Sequence, residues 1–274
     1  MSEPTKDFQA RHARSFARTV SDRRPSTQGG HPCPPTPTRA YMASLPPVPV
    51  IHLDPVHPLR VSERYSGADH PMREVTRAVA FKGAWDTARS RDVRGIFDGL
   101  APDWTETRYS PERLLPLIDA LDRGGVNGRT VIELGAATCL MSAELCSRFD
   151  RVVAVDLSLE MLRNAVTADA PLVNADAALL PFPAGTADVL VLMNMLLFPA
   201  EVHRCLARQG ALVWVSSRAE DTPIHLAAGD VVTALAAAGA GDWGGTASRA
   251  GEGSWCVLRR SRTDTETGRQ AGNG

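Results

Sequence analysis

From residue 129 onward, short apolar runs alternate with amphipathic stretches. Val131-Ile132-Glu133-Leu134 predicts a short buried strand, Gly135 to Cys139 a tight turn of small residues, and 140–149 a helix. The segment 151–155 predicts a second strand ending at Asp156. Ser158 then caps a helix carrying Leu159, Met161, Leu162 and Ala165. A short third strand is expected over 171–174, before Asp176. The near-continuous apolar run 187–193 reads as a strand buried on both faces. A helix over 199–208 ended by Gly210, a strand over 211–215 and a helix over 231–238 follow. A hairpin of 246–249 and 254–258 closes the pattern. Repeated strand–helix order predicts an α/β fold, a doubly wound, mostly parallel seven-stranded sheet with an antiparallel closing strand.

Upstream, Trp85, Val93, Ile96 and Phe97 are spaced for one helix face, and Ala101-Pro102-Asp103 is expected to break that helix. Ser110-Pro111-Glu112 supplies an N-cap with proline at the first helical position. The helix carrying Leu114, Leu115, Leu117, Ile118 and Leu121 then ends at Arg123-Gly124-Gly125.

Residues 1–71 hold 12 of the 20 prolines and predict a disordered or polyproline-like extension ahead of a folded domain over 72–262, with 263–274 as a tail. Residues 1–40 carry seven Lys/Arg against three Asp/Glu, so this segment is either a docking tail or an unconstrained extension, and Met72 is a candidate translation start. The whole chain, at net charge -1, has no strong pull toward nucleic acid or membrane. Its five cysteines are scattered and unpaired in sequence, which favours free thiols over a zinc site or disulfide framework. The longest apolar run, 189–198, is too short to span a bilayer, and the N-terminus has no secretory h-region; a cytoplasmic location is expected.

Glu133, Asp156 and Asp176 each stand at or just past the end of a predicted parallel strand, so they converge on one edge of the sheet. Glu133 and Asp156 are 23 residues apart, close to the spacing of about 20 at which a nucleotide-binding fold presents its ribose acid. Each acid alone reads as a helix cap or turn residue. Three in register favour a binding crevice.

Three segments carry a resemblance: Glu133-Leu134-Gly135-Ala136-Ala137-Thr138-Cys139; Asp156-Leu157-Ser158-Leu159-Glu160-Met161-Leu162; and Ala175-Asp176-Ala177-Ala178-Leu179-Leu180-Pro181-Phe182. In order and spacing the chain resembles the class I S-adenosylmethionine-dependent methyltransferases, in particular the small-molecule branch. The resemblance covers roughly residues 92–260. It implies that S-adenosylmethionine is the cofactor and a small molecule the methyl acceptor. Glu133, the Gly135 turn with Ala137, and Thr138 would hold the methionyl end. Asp156 with Leu157 would take the ribose, Asp176 and Ala177 the adenine, and Asn194 would lie near the sulfonium and the acceptor. The family's G-x-G-x-G is here Gly135-Ala136-Ala137-Thr138-Cys139, so two glycines are replaced. If φ is positive at those positions, the replacements carry strain.

His225, in the loop after the fifth predicted strand, is the candidate general base; His203 lies within a helix and reads as surface or packing. Trp104 and Tyr109 are candidates for covering an apolar acceptor. No metal site is read from the histidines and cysteines. Two other functions stay open on this sheet. A regulatory protein could have kept the fold and lost catalysis. An NAD(P)-dependent oxidoreductase would usually carry Tyr-x-x-x-Lys, which Lys6 and Lys82, the only lysines, do not supply.

Overall fold

The computed structural model describes residues 50–60, 67, 69–167, 169–239 and 241–261. The expectations for residues 1–49 and for 262–274 lie outside them. Eight strands form one sheet: β1 (Val50–His52), β2 (Thr130–Leu134), β3 (Arg151–Asp156), β4 (Leu172–Asn174), β5 (Ala187–Met193), β6 (Leu206–Ser216), β7 (Trp243–Ala250) and β8 (Gly253–Arg260). Their order is β1-β7-β8-β6-β5-β2-β3-β4, and only β8 pairs antiparallel with its neighbours. Among the described residues the α-helices are α1 (Met72–Lys82), α2 (Thr87–Arg108), α3 (Pro111–Arg123), α4 (Ser142–Arg148), α5 (Leu159–Arg163), α6 (Pro199–Cys205) and α7 (Ala228–Ala237).

Side chains alternate faces along a strand, and the two apolar layers follow that alternation. Ile132, Leu134, Leu190, Leu192, Leu212 and Trp214 pack with α1, α6 and α7. Val131, Val189, Val191, Val213 and Val215 pack with α3 and α4. Fully buried Val189 to Leu192 bear out the double-sided burial expected of that run. The strand order reverses between β2 and β5, the switch point beyond whose C-terminal ends a doubly wound sheet binds ligands.

Four local expectations fail. The sheet has an eighth strand, β1, in the proline-rich stretch expected to lack regular structure. An edge strand tolerates flanking prolines because only one side needs ladder donors. Side-chain bonds hold this segment: Ser248 Oγ donates to Leu53 O at 2.9 Å, and an Arg123 guanidinium nitrogen to Asp54 O at 3.0 Å. Second, α2 does not break at 101–103 but runs through Pro102 to Arg108, at the loss of one backbone bond to Asp98 O. Third, Trp85 lies not on a helix face but in the loop between α1 and α2. Fourth, Gly210 ends no helix: α6 stops at Cys205 and the chain passes directly into β6, where Gly210 is a strand residue whose Cβ would meet Asp188 O at 2.8 Å. The N-cap of α3 is as expected, with Ser110 accepting from Arg113 N–H at 3.3 Å and Pro111 in the first turn.

Candidate functional site

β2, β3 and β4 bring Glu133, Asp156 and Asp176 to one edge, and the turn after β2 ties the first two together. Gly135 N–H and Ala136 N–H both donate to Val155 O, at 2.9 and 3.0 Å. Ala137 N–H donates to Asp156 Oδ2 at 2.8 Å, and Ser158 N–H to Asp156 Oδ1 at 2.8 Å. Each Asp156 oxygen keeps acceptor capacity beyond these bonds. Burial, and Asp98 nearby, raise the Asp156 carboxyl above its ordinary range against those amide donors.

Glu133 is fully buried. Its Oε2 accepts from Ser142 Oγ at 2.6 Å, while Oε1 has no partner. Burial pushes its pKa up to about 7, with Asp156 adding to the rise and the Ser142 bond opposing it. A buried, half-paired carboxyl is costly and has capacity for one more donor.

The turn itself is strained. Gly135, Ala137 and Cys139 have φ of 73°, 50° and 61°. Both positions where the sequence lacks the family's glycine are therefore left-handed, at a cost of about 1–2 kcal/mol each for an L-residue. A Cβ on Gly135 would meet Met195 Sδ at 2.7 Å, so that glycine also answers a close approach. Cys139 is buried and its thiol is pushed up to about 11, chiefly by burial, which fits packing rather than nucleophilic chemistry.

One stripe of α2 lies over these acids. Ser90 Oγ donates to Asp176 Oδ2 at 3.0 Å, Ser158 Oγ to Asp98 Oδ1 at 2.5 Å, and Thr105 Oγ1 to Thr138 Oγ1 at 2.8 Å. Trp85 Nε1 donates to both Asp176 oxygens, at 2.9 and 3.1 Å, and Ala178 N–H adds 2.9 Å to Oδ1. Asp176 is thus engaged by the cover, where Asp156 and Glu133 retain free acceptor capacity. Leu157 packs at the edge of the α1-side core, and Ala177 is buried there.

Asn194, with φ of 51°, clamps the ends of β5 and β6: its Oδ1 accepts from Ser217 N–H at 2.9 Å and its Nδ2 donates to Ser217 Oγ at 3.0 Å. His225 is not brought to it. Nδ1 of His225 lies 3.0 Å from Ser216 Oγ, on the face of β6 that packs against α1 and α7, while Ser217 faces α3. Burial, then Arg73, push the imidazole down to about 4, so it is neutral and weakly basic at pH 7. Trp104 stacks edge-on against Phe97 of its own helix at 5.8 Å, under the Arg108 guanidinium, and Tyr109 is exposed.

Sequence reasoning missed Ser142, Trp85, Ser90, Asp98 and Thr105. The last three sit seven or eight residues apart, a helical stripe that becomes legible only once α2 continues through Pro102. Among the described residues no cluster of three His, Cys, Asp or Glu could hold a metal, and no helix is long and apolar enough to cross a membrane.

A mostly parallel sheet with a reversal in strand order and a strand-turn-helix at that reversal define the doubly wound class, whose members bind ligands at that reversal. Residues 132–214 match the family model described as a methyltransferase domain. That match supports a class I S-adenosylmethionine-dependent methyltransferase domain with S-adenosylmethionine as its cofactor. Among solved structures, the candidate methyltransferase bound to the Trm112 activator of Haloferax volcanii is 25% identical over 44% of this chain and 59% of its own, at a TM-score of 0.39. The chain thus spans less than two thirds of that protein. A candidate S-adenosylmethionine-dependent methyltransferase from Methanococcus maripaludis is 16% identical over 66% of this chain and 95% of its own, TM-score 0.48. The cyclase SpnF is 18% identical over 55% and 72%, TM-score 0.45. No curated protein matches the chain.

The residues present fit this cofactor in two respects. The unpartnered Glu133 Oε1 can accept from an ammonium group, and Asp156 has lone pairs for vicinal hydroxyls. Asp176 can serve adenine only if Trp85 and Ser90 release it.

Proposed function

We propose that the chain transfers a methyl group from S-adenosylmethionine to an oxygen, nitrogen or carbon atom of a small molecule. The observation that carries this reading is Glu133, buried at the switch point with one oxygen unpaired, beside Asp156 on the neighbouring strand. When bound, the cofactor supplies a sulfonium whose methyl is already electrophilic, so the protein's task is alignment and exclusion of water.

Glu133, the Gly135 turn with Ala137, and Thr138 hold the methionyl end, and Asp156 with Leu157 holds the ribose. Asp176 and Ala177 hold adenine after the α2 cover shifts. Asn194, fixed by its two bonds to Ser217, borders the acceptor. His225 is a weak candidate for the base, since a group protonated only near pH 4 has little affinity for the acceptor's proton. Trp104 packs on Phe97 of its own helix and Tyr109 is exposed, and neither arrangement favours a substrate role over helix packing and surface.

A second reading, a cofactor-binding protein without turnover, is favoured by the strained Ala137 and Cys139 and by the engaged Asp176. Incubation with methyl-labelled cofactor and fractionated extract of the native host separates the two. Label in a low-mass product supports transfer to a small molecule. Label confined to protein or nucleic acid contradicts that acceptor class. Cofactor binding with no label in any fraction favours the second reading.

A further inference from the structure

On the other side of the switch point lies a cavity of about 260 Å³ whose wall carries Arg60, Arg113, Arg218 and Ser217. Four separate segments build it. Arg113 comes from the first turn of α3, Ser217 and Arg218 from the loop after β6, and Glu252 from the β7–β8 turn. Arg60 follows β1, its N–H held by Gly251 O at 3.0 Å.

The charges in this wall are unevenly compensated. Arg218 lies 3.8 Å from Glu252, and Glu112 is exposed at the rim. Arg113 is half-buried, and among the described residues no carboxylate lies within ion-pair distance of it; a guanidinium nitrogen donates to Ser217 Oγ at 3.3 Å. Burial pushes Arg113 down to about 10; Arg218 and Arg108 act in the same direction, and Glu252 opposes them. A desolvated cation crowded by other cations is stabilised by an incoming anion, and the planar guanidinium matches a carboxylate or phosphate in two parallel hydrogen bonds. The N-terminus of the 13-residue α3 opens on the same cavity at Ser110 and adds its positive end. Ser217 Oγ already accepts from Arg113 and from Asn194 Nδ2, which leaves its proton to donate.

We infer that this cavity binds the oxyanion of an acidic methyl acceptor, a carboxylate or a phosphate, with Arg113 as its main anchor and Arg218 and Arg60 beside it. The inference rests on the proposed function, because Asn194, the residue placed beside the acceptor, shares Ser217 with Arg113. It narrows the acceptor from any small molecule to an anionic one held by its acid group at the β6 side of the edge.

The probes are inorganic phosphate and malonate, titrated into the full chain at ionic strength held constant with sodium chloride and read by thermal unfolding and by calorimetry. At least one of them is expected to raise the melting temperature with saturation. Phosphate alone points to a phosphorylated acceptor and malonate alone to a carboxylic one. Arg113→Gln is expected to weaken that binding about tenfold or more. Arg163→Gln, on α5 beside Glu160, is expected to leave it unchanged. Arg218→Gln serves as the second variant should Arg113→Gln not fold. Absence of saturable binding by the unaltered protein, or equal binding by both cavity variants, overturns the inference. The demethylated cofactor, S-adenosylhomocysteine, is titrated in parallel. Its failure to bind the unaltered protein sinks the methyltransferase reading, while anion binding lost in Arg113→Gln still upholds the cavity as an anion site.

Discussion

The two halves of the sheet's C-terminal edge carry opposite charge. At or just past the ends of β2, β3 and β4 stand Glu133, Asp156 and Asp176, joined by Asp98 from α2; past β6 stands Arg218, with Arg113 from α3 beside it. The acidic half is closed, its carboxylates buried or bonded to Trp85, Ser90 and Ser158. The basic half is an open cavity with a cation that lacks an acidic partner among the described residues. The contrast suits a cationic cofactor that offers amino and hydroxyl donors on one side and an anionic acceptor on the other. Each half stores free energy that its ligand would release: an unpaired carboxyl oxygen in one, a crowded guanidinium in the other.

The largest expected effect is at Glu133. In the fold it keeps its proton up to about pH 7, whereas the unfolded chain loses it near 4.5. The native state therefore gains relative stability below pH 4.5, and this contribution is lost as pH rises through 7. Glu133→Gln removes the loss. Chemical denaturation of the ligand-free protein should show the variant more stable than the parent by up to about 3 kcal/mol at pH 8 and nearly equal at pH 4. S-adenosylhomocysteine should bind the variant more weakly. Equal stability of the two proteins at both pH values would remove burial strain from the acidic half.

A smaller effect is expected under the basic half, where His225 sits near Arg73. Its folded pKa is depressed to about 4, so the unfolded chain takes a proton between pH 6.5 and 4 that the fold refuses, and stability falls as pH drops through that window. His225 is only partly buried, so with solvent screening His225→Asn should flatten the acid limb of the stability profile by about 2 kcal/mol between those limits. It should leave turnover near neutral pH within a few fold. A loss of turnover of several hundredfold would restore His225 as the base.

The smallest effect concerns the turn. Ala137→Gly relieves a φ of 50° and should stabilise the protein by about 1 kcal/mol or less, since glycine also gains freedom in the unfolded chain. S-adenosylhomocysteine affinity should rise several fold with it. Destabilisation would mean that the turn is not strained at Ala137.

The acidic half was legible in the sequence because its logic is local. Apolar runs mark β2 and β3, and Glu133 and Asp156 stand at fixed offsets within them. Glycine replacement by Ala137 and Cys139 was legible too, though not the sign of φ, which depends on how the turn meets Val155 O. The basic half was not legible, because Arg60, Arg113 and Arg218 are distant in a chain where nearly every basic residue is arginine. Only the packing of α3 against β6 and β8, and of β1 along β7, makes them neighbours. The cover over Asp176 was hidden for a different reason: Pro102 reads as a helix end, and the stripe Ser90, Asp98, Thr105 exists only when the helix ignores it.

The most direct measurement is a calorimetric titration of S-adenosylhomocysteine into the full chain and into Asp156→Asn. One site per chain is expected in the parent, and binding weaker by about tenfold or more in the variant, because the hydroxyls lose a charged acceptor. No binding by the parent, or equal affinity in both proteins, would contradict the placement of the cofactor at the acidic half.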